Sequence, residues 1–131
     1  MAPEADHAER MSLSRSTCLD LLGDVDFARV VISVRCLPVA LPTRIALVND
    51  DHLILTSTDK SVAGTAENGD VLSVQIDGLN NDGSTWSVMV SGIASPAAPS
   101  EHPPPSLARA LERGATLLSL PLTLVAGERV T

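Results

Sequence analysis

The segment Thr56-Ser57-Thr58-Asp59-Lys60-Ser61 crowds four hydroxyls and one ammonium into six consecutive residues. Hydroxyls and the amides that open a helix donate hydrogen bonds, and a lysine adds a point charge, so this set can hold an anion. Asp59 puts an opposing carboxylate in the same turn. Ser, Thr and Asp before a helix are equally ordinary caps, and the residues alone leave both readings open. The second chemical feature is Trp86, the sole Trp of a chain in which aromatics are 2% of residues. In Thr85–Ala94 the residues alternate, with Trp86, Val88 and Val90 on one face and Ser87, Met89 and Ser91 on the other. That is the pattern of a half-buried strand. Trp86 is then either a core residue or the flat apolar contact of a ligand. Trp86, Val88 and Val90 are expected to face an interface or groove.

Other chemistries find no support. His7, His52 and His102 fall in a tail, a turn and a Pro-rich loop, which builds neither a triad nor a metal site. His52 reads as a solvated hairpin residue. There is no Gly-rich phosphate loop and no nucleophile elbow. Asp70, Asp77 and Asp82 stand at strand ends and loops, where carboxylates serve turns. Arg29 and Arg44 either reach a groove or make surface ion pairs, with the surface favoured for Arg44. Cys18 and Cys36 lack metal-ligand spacing and read as reduced thiols. A formal net charge of −7 disfavours nucleic-acid binding. No apolar run approaches the roughly 18 residues of a membrane span, and no signal-peptide core opens the chain. A cytoplasmic protein is expected.

The 131 residues make one domain, with 1–12 expected as an unstructured tail and 13–131 folded. Leu13–Gly23 reads as a helix capped by Ser14 and closed by a left-handed Gly23. Strands follow at Phe27–Val34 and Val39–Val48, the second holding Pro42 and so predicted at an edge or bulge. Asn49-Asp50-Asp51 turns the chain into His52–Ser57. Thr58 or Asp59 caps a short helix with Val62, Ala63 and Ala66, ending at Asn68-Gly69. Val71–Asp77 places Leu72, Val74 and Ile76 inward, and Gly78–Ser84 is a polar loop before the Trp86 strand. Ser95–Pro105 is a Pro/Ala/Ser connection, Ser106–Arg113 an amphipathic helix, and Thr116–Val125 a last strand bent at Pro121. Gly127–Thr131 is the end segment. Six strands with hairpin connections and short helices predict a mainly β, antiparallel small barrel.

The order of several short pieces is more specific than any one of them. Cys18-Leu19-Asp20-Leu21-Leu22 is followed by Ala28-Arg29-Val30, Leu37-Pro38 through Leu41-Pro42, and Leu55-Thr56-Ser57 with Lys60. Then come Gln75-Ile76-Asp77, Trp86-Ser87-Val88, Gly92-Ile93-Ala94 and Ala126-Gly127-Glu128-Arg129-Val130. In this order the chain resembles the pyridoxamine 5′-phosphate oxidase-like, FMN-binding split-barrel family, in particular its short actinobacterial-type members, from about Leu13 to Val130. The chain departs from the family at Leu55, where an Arg is frequent, and at Thr85, where a Gly is. The turn up to Lys60 is one residue short, and Leu107–Ala115 replaces a Pro-Trp segment.

The resemblance implies a six-stranded, Greek-key-like split barrel and a homodimer that binds FMN, or a deazaflavin coenzyme, in a groove shared by both subunits. Carried onto this sequence, Thr56, Ser57, Thr58, Lys60 and Ser61 would hold the phosphate, and Trp86 and Ser87 would border the cofactor. The activity implied is an oxidoreductase on a small molecule, the cofactor carrying the redox chemistry. Pyridoxamine phosphate oxidation itself is not expected, since the chain is shorter than those enzymes. The alternative is a dimeric split-barrel protein without a cofactor, or one that only binds or stores a ligand.

Overall fold

The structure, a computed structural model, describes residues 9–97 and 103–131. His7 and His102 lie outside the described residues. The elements are β1 (Arg10–Ser12), α1 (Arg15–Gly23), β2 (Phe27–Val34), β3 (Leu37–Val48), β4 (His52–Ser57), α2 (Lys60–Glu67) and β5 (Val71–Leu79). They continue with β6 (Thr85–Ile93), β7 (Ser95–Pro96), α3 (Pro105–Glu112), β8 (Thr116–Pro121) and β9 (Leu124–Val130). All strand pairings are antiparallel, in the order β1-β9-β6-β5-β2-β3-β4-β8-β7.

The sheet order is linear, but the chain joins its two sides twice. β6 runs on into β7, which pairs with β8, while β8 turns into β9, which pairs back with β6. These two passages roll the sheet into a split barrel. At the corner Gly92 lies against β8, where a Cβ would be in van der Waals contact with Leu120 Cδ1 at 3.4 Å. The barrel interior is filled by the inward residues of each strand, among them Val30, Ile45, Leu53, Leu55, Leu72, Val74, Val88, Val90 and Leu120. Leu22 and Cys18 of α1 and Val62 of α2 plug into the same core. Val88 and Val90 are thus fully buried inside the barrel rather than facing an interface, and the outward face of β6 is Ser87, Met89 and Ser91. Trp86 is half-buried against the core.

The mainly β split barrel is the fold expected, with nine strands in place of six. The extra strands arise where the sequence carries no alternation or turn signal. The predicted strand Thr116–Val125 is really two, because β8 stops at Pro121 and Leu122–Thr123 turn the chain. Leu122 is buried and its amide donates to Asp51 O at 3.0 Å, so tertiary contact makes a corner without a turn residue. β9 consequently takes in the end segment. Arg10–Ser12, expected within the unstructured tail, forms β1 along the free edge of β9, with Arg10 paired to Glu128 at 2.7 Å. Its three residues are all exposed, so no hydrophobic pattern marks it.

Ser14 caps α1 as expected, its Oγ accepting from Thr17 N. Gly23, however, is the last helical residue, and the helix closes on Asp24 in the right-handed region, φ −88°. A left-handed turn appears instead at Arg35 and Cys36, with φ 53° and 66°, as the two-residue hairpin between β2 and β3. Both φ values positive is the type I′ geometry that matches strand twist, here without glycine. The Asn49–Asp50 turn, φ 53° and 54°, uses residues suited to it. Pro42 lies where β3 pairs on one side only, with β2, so its missing donor costs no ladder bond, as expected for an edge.

Helix α1 is seated against β9 through one close approach. A Cβ on Gly127 would sit 2.5 Å from Cys18 Sγ and 3.2 Å from Ser87 O. Gly127→Ala should therefore destabilise the fold by roughly 1–3 kcal/mol through overpacking. Urea denaturation measures it, and a double-mutant cycle with Cys18→Ala should show favourable coupling, since the smaller side chain removes the nearest clash.

Candidate functional site

The principal cavity, about 560 Å³, opens where β3 changes partners. β3 pairs with β2 over Leu37–Arg44 and with β4 over Ile45–Val48. β4 ends at Ser57, so the β3 edge at Leu41–Arg44 borders the cavity instead of a strand. The junction is locked by hydrogen bonds. Thr43, buried, donates through Oγ1 to Thr56 O at 2.6 Å, and Arg44 N donates to Thr56 Oγ1 at 3.3 Å. Arg44 and the Thr56–Thr58 turn thus form one wall. The floor is apolar, from Phe27, Val30, Leu41, Val62 and Ala115. The opposite wall is α3 with its C-cap, presenting Arg109, Ala110 and the cap residue Arg113.

Of the residues singled out by sequence, Thr56, Ser57 and Thr58 line this cavity together. Ser57 is engaged, donating to Asp59 O at 3.0 Å and accepting from Asp59 N at 3.3 Å. Thr56 accepts from Arg44 N and keeps its hydroxyl proton for a ligand. Thr58 is exposed and makes no hydrogen bond among the described residues. The opening of α2 is taken by Asp59, whose Oδ1 accepts from Ser61 N at 2.7 Å. Lys60 and Ser61 start that helix and are not on the cavity wall.

Trp86 and Ser87 line a different cavity, about 540 Å³, with Asp77, Gly78, Glu128 and Arg10. The indole lies across Gly78, its partner on β5: a Cβ there would be 2.5 Å from Trp86 Cε2. In one chain the sequence-predicted set is therefore split, Thr56–Thr58 at one cavity, Trp86 and Ser87 at another, and Lys60 and Ser61 at neither.

The cations at the first cavity are not the one the sequence suggested. Arg44 is exposed, as expected, and stands on the cavity wall without the expected ion pair; neither it nor Arg109 nor Arg113 has a carboxylate partner among the described residues. Arg109 and Arg113 went unnoticed in the sequence. Their signal was a spacing of four along a predicted amphipathic helix, although Arg113 proves to be the C-cap of α3 rather than a helical residue. Arg29 is exposed on β2 and lines neither cavity. His52 bonds Asp51 through Nδ1 and is only 19% exposed in its side chain, so it is the first residue of β4 rather than a solvated turn residue. Both cysteines are free: Cys18 is buried, which raises its thiol pKa against the opposing charge of Arg15, and Cys36 is exposed. No group of three or more metal-ligating residues occurs, and no helix is long and apolar enough to cross a membrane, among the described residues.

Beside Trp86 the loop after β5 is fixed by charge. Asp82 accepts from Ser84 Oγ at 2.5 Å, Ser84 N at 2.9 Å and Arg129 Nη2 at 2.7 Å. The Ser84 bonds, and then Arg129, lower its pKa from 3.8 to about 2. A depressed carboxylate stabilises the fold above the unfolded value and loses that contribution as pH falls. The loop contacts should persist at pH 3.8 and fail toward pH 2. NMR titration of Asp82 checks this, and Ser84→Ala should move its midpoint back up toward 3.8.

The antiparallel split barrel is a known architecture. A crystal structure of an FAD-binding protein from Mesorhizobium loti superposes with a TM-score of 0.71 at 19% identity, over 95% of this chain and 98% of that one. The FAD-binding protein from Mycobacterium smegmatis gives 0.68 at 20% identity, over 92% and 98%. An FAD- and heme-binding protein from the same organism gives 0.66 at 17%, over 90% and 71%. At these identities the likeness establishes the fold. No functionally curated protein matches the chain. The family model described as pyridoxamine 5′-phosphate oxidase matches residues 14–118, and the chain belongs to that family.

Proposed function

We propose that the protein binds a flavin in the 560 Å³ cavity and works as a small flavin-dependent oxidoreductase. The observation that carries this is the donor set. An acidic chain, net −7, brings Arg44, without an ion pair among the described residues, and the hydroxyls of Thr56 and Thr58 to one wall of a cavity with an apolar floor, Asp59 being the carboxylate of the same lining. A cation and hydroxyls on one wall suit a phosphate, and the floor suits a planar ring. The names of the FAD-binding structural neighbours support a flavin as the ligand.

FMN is the cofactor of this reading, with a deazaflavin as the alternative. Arg44 and the Thr56-Ser57-Thr58 turn would hold the phosphate, and Phe27, Leu41 and Pro42 would border the ring. Asp59 lines the same cavity, with its Oδ1 engaged by the opening of α2. The bound flavin would supply the redox chemistry, and the chain supplies position, charge and exclusion of water.

The protein is further proposed to be a homodimer through the outward face of β5, β6 and β9. There Val71, Ile93 and Leu124 are 53–65% exposed, and Met89 lies between Gln75 and Ala126. A sheet face with exposed Val71, Ile93 and Leu124 clustered at one end suits a two-fold interface on the order of 2,000 Å². Light scattering at micromolar concentration should give twice the chain mass, and a stable monomer refutes the assembly.

The cofactor reading is tested by titrating FMN, FAD and riboflavin. FMN should bind, and riboflavin, without phosphate, should bind far more weakly. Arg44→Ala should weaken FMN by about ten- to a hundredfold, one charge-assisted contact, and leave riboflavin unaffected. Lys60→Ala should have little effect. Equal affinity for FMN and riboflavin would place the phosphate elsewhere. Absence of binding by any flavin favours a barrel that only stores or binds another ligand.

A further inference from the structure

We propose that Thr43 is a positioning residue: its buried hydroxyl sets the spacing between Arg44 and Thr56, the two groups assigned above to the phosphate. This role rests on the flavin reading and deepens it, because Thr43 acts on the ligand only through its neighbours.

The buried polar residues among the described ones are Thr43, Ser57 and Ser84. Ser57 bonds within its own turn, and Ser84 serves the Asp82 loop. Thr43 instead joins two strands at the mouth of the cavity. It is 5% exposed, and its Oγ1 donates to Thr56 O at 2.6 Å, with Arg44 O a longer second acceptor at 3.2 Å.

The ladder between β3 and β4 stops at the Ile45–Leu55 pair. Beyond it, side chains stand in for backbone partners. Arg44 N donates to Thr56 Oγ1 at 3.3 Å, and Thr56 O accepts from the Thr43 hydroxyl. These reciprocal bonds add one rung to the sheet where its strands have begun to part. The Thr43 bond is the shorter and the less exposed of the two, so water competes with it least.

The rung fixes both members of the phosphate wall. The bond from Arg44 N occupies an acceptor site on Thr56 Oγ1 and leaves the O–H to donate to a ligand. A phosphate that engages Arg44 and Thr56 together needs them held to within about 0.5 Å. Without the Thr43 hydroxyl, Thr56 O loses its cross-strand donor and the wall is free to open. Valine has nearly the shape of threonine and lacks that donor, so Thr43→Val removes the bond and keeps the packing.

The test titrates the full chain and its Thr43→Val, Thr43→Ala and Thr43→Ser variants with FMN and with riboflavin, and unfolds each in urea. Thr43→Val should weaken FMN about tenfold and leave riboflavin, which has no phosphate, within about twofold of wild type. Thr43→Ala, which also lacks the hydroxyl, should repeat that result. Thr43→Ser keeps the hydroxyl and should restore FMN affinity, although the lost methyl makes it no more stable than Thr43→Val. Equal losses for FMN and riboflavin overturn the proposal and leave Thr43 a structural residue only. Unchanged FMN affinity in Thr43→Val overturns it as well, as does a folded Thr43→Ser that fails to recover FMN. Inorganic phosphate, followed through the Arg44 Nε–H signal, separates this role from the cofactor. If wild type binds no flavin but phosphate shifts that signal in wild type and Thr43→Ser and not in Thr43→Val, the flavin reading fails and the role of Thr43 stands. If phosphate shifts it in none of them, both fail.

Discussion

A single strand cannot pair along its whole length with two neighbours that diverge, and β3 resolves this by handing over from β2 to β4 at Arg44–Ile45. Nearly everything functional follows from that handover. The backbone there is satisfied from both sides, Ile45 N by Asp26 O at 3.1 Å and Arg44 N by Thr56 Oγ1. The edge left without a strand is protected by chemistry. Pro38 and Pro42 are four residues apart, so their missing donors fall on the same side of the strand. Such an edge is a poor template for aggregation and a good wall for a cavity. Helix α3 then covers the gap with its arginines, while Thr43, buried at the junction, holds the two halves in register.

Most of the sheet was legible in the sequence, because it follows from alternation. Leu72, Val74 and Ile76 face the core as their spacing requires, and β2 and β4 have the limits read from their apolar runs. What was not legible depends on contacts between distant segments. The turn at Leu122–Thr123 contains no Gly, Asn or Asp, and exists because Leu122 is buried and bonded to Asp51. β1 exists because β9 offers a free edge. Val88 and Val90 show the limit of a face assignment: period two says that they share a side, and only the closed barrel says that the side is the interior.

The site was legible in part for the same reason. Thr56, Ser57 and Thr58 are consecutive, so local reading found them. Arg44 is apart from them in sequence and adjacent only across the strand pair. Arg109 and Arg113 reach the cavity only because α3 folds over it. Lys60 looked like the phosphate cation because sequence proximity was the sole guide. Asp59 displaces it by capping α2, and a helix N-terminus already satisfied by its own carboxylate has less to offer an anion.

The division of the remaining residues bears on assembly. Trp86 and Ser87 border a cavity that contains none of the residues of the Arg44 cavity. Their carboxylate neighbours Asp77 and Glu128 would repel a phosphate. Within one chain, then, Trp86 has a sufficient structural role: its ring occupies the space over Gly78, and Arg129, opposite it on β9, ties the Asp82 loop beside it. Any part that Trp86 and Ser87 play at a flavin must come from a second copy, which a two-fold pairing through the β5-β6-β9 face could bring to the Arg44 cavity of its partner. The dimer proposal and a ligand role for Trp86 therefore stand or fall together, whereas the phosphate wall and the α3 arginines are complete in a single chain.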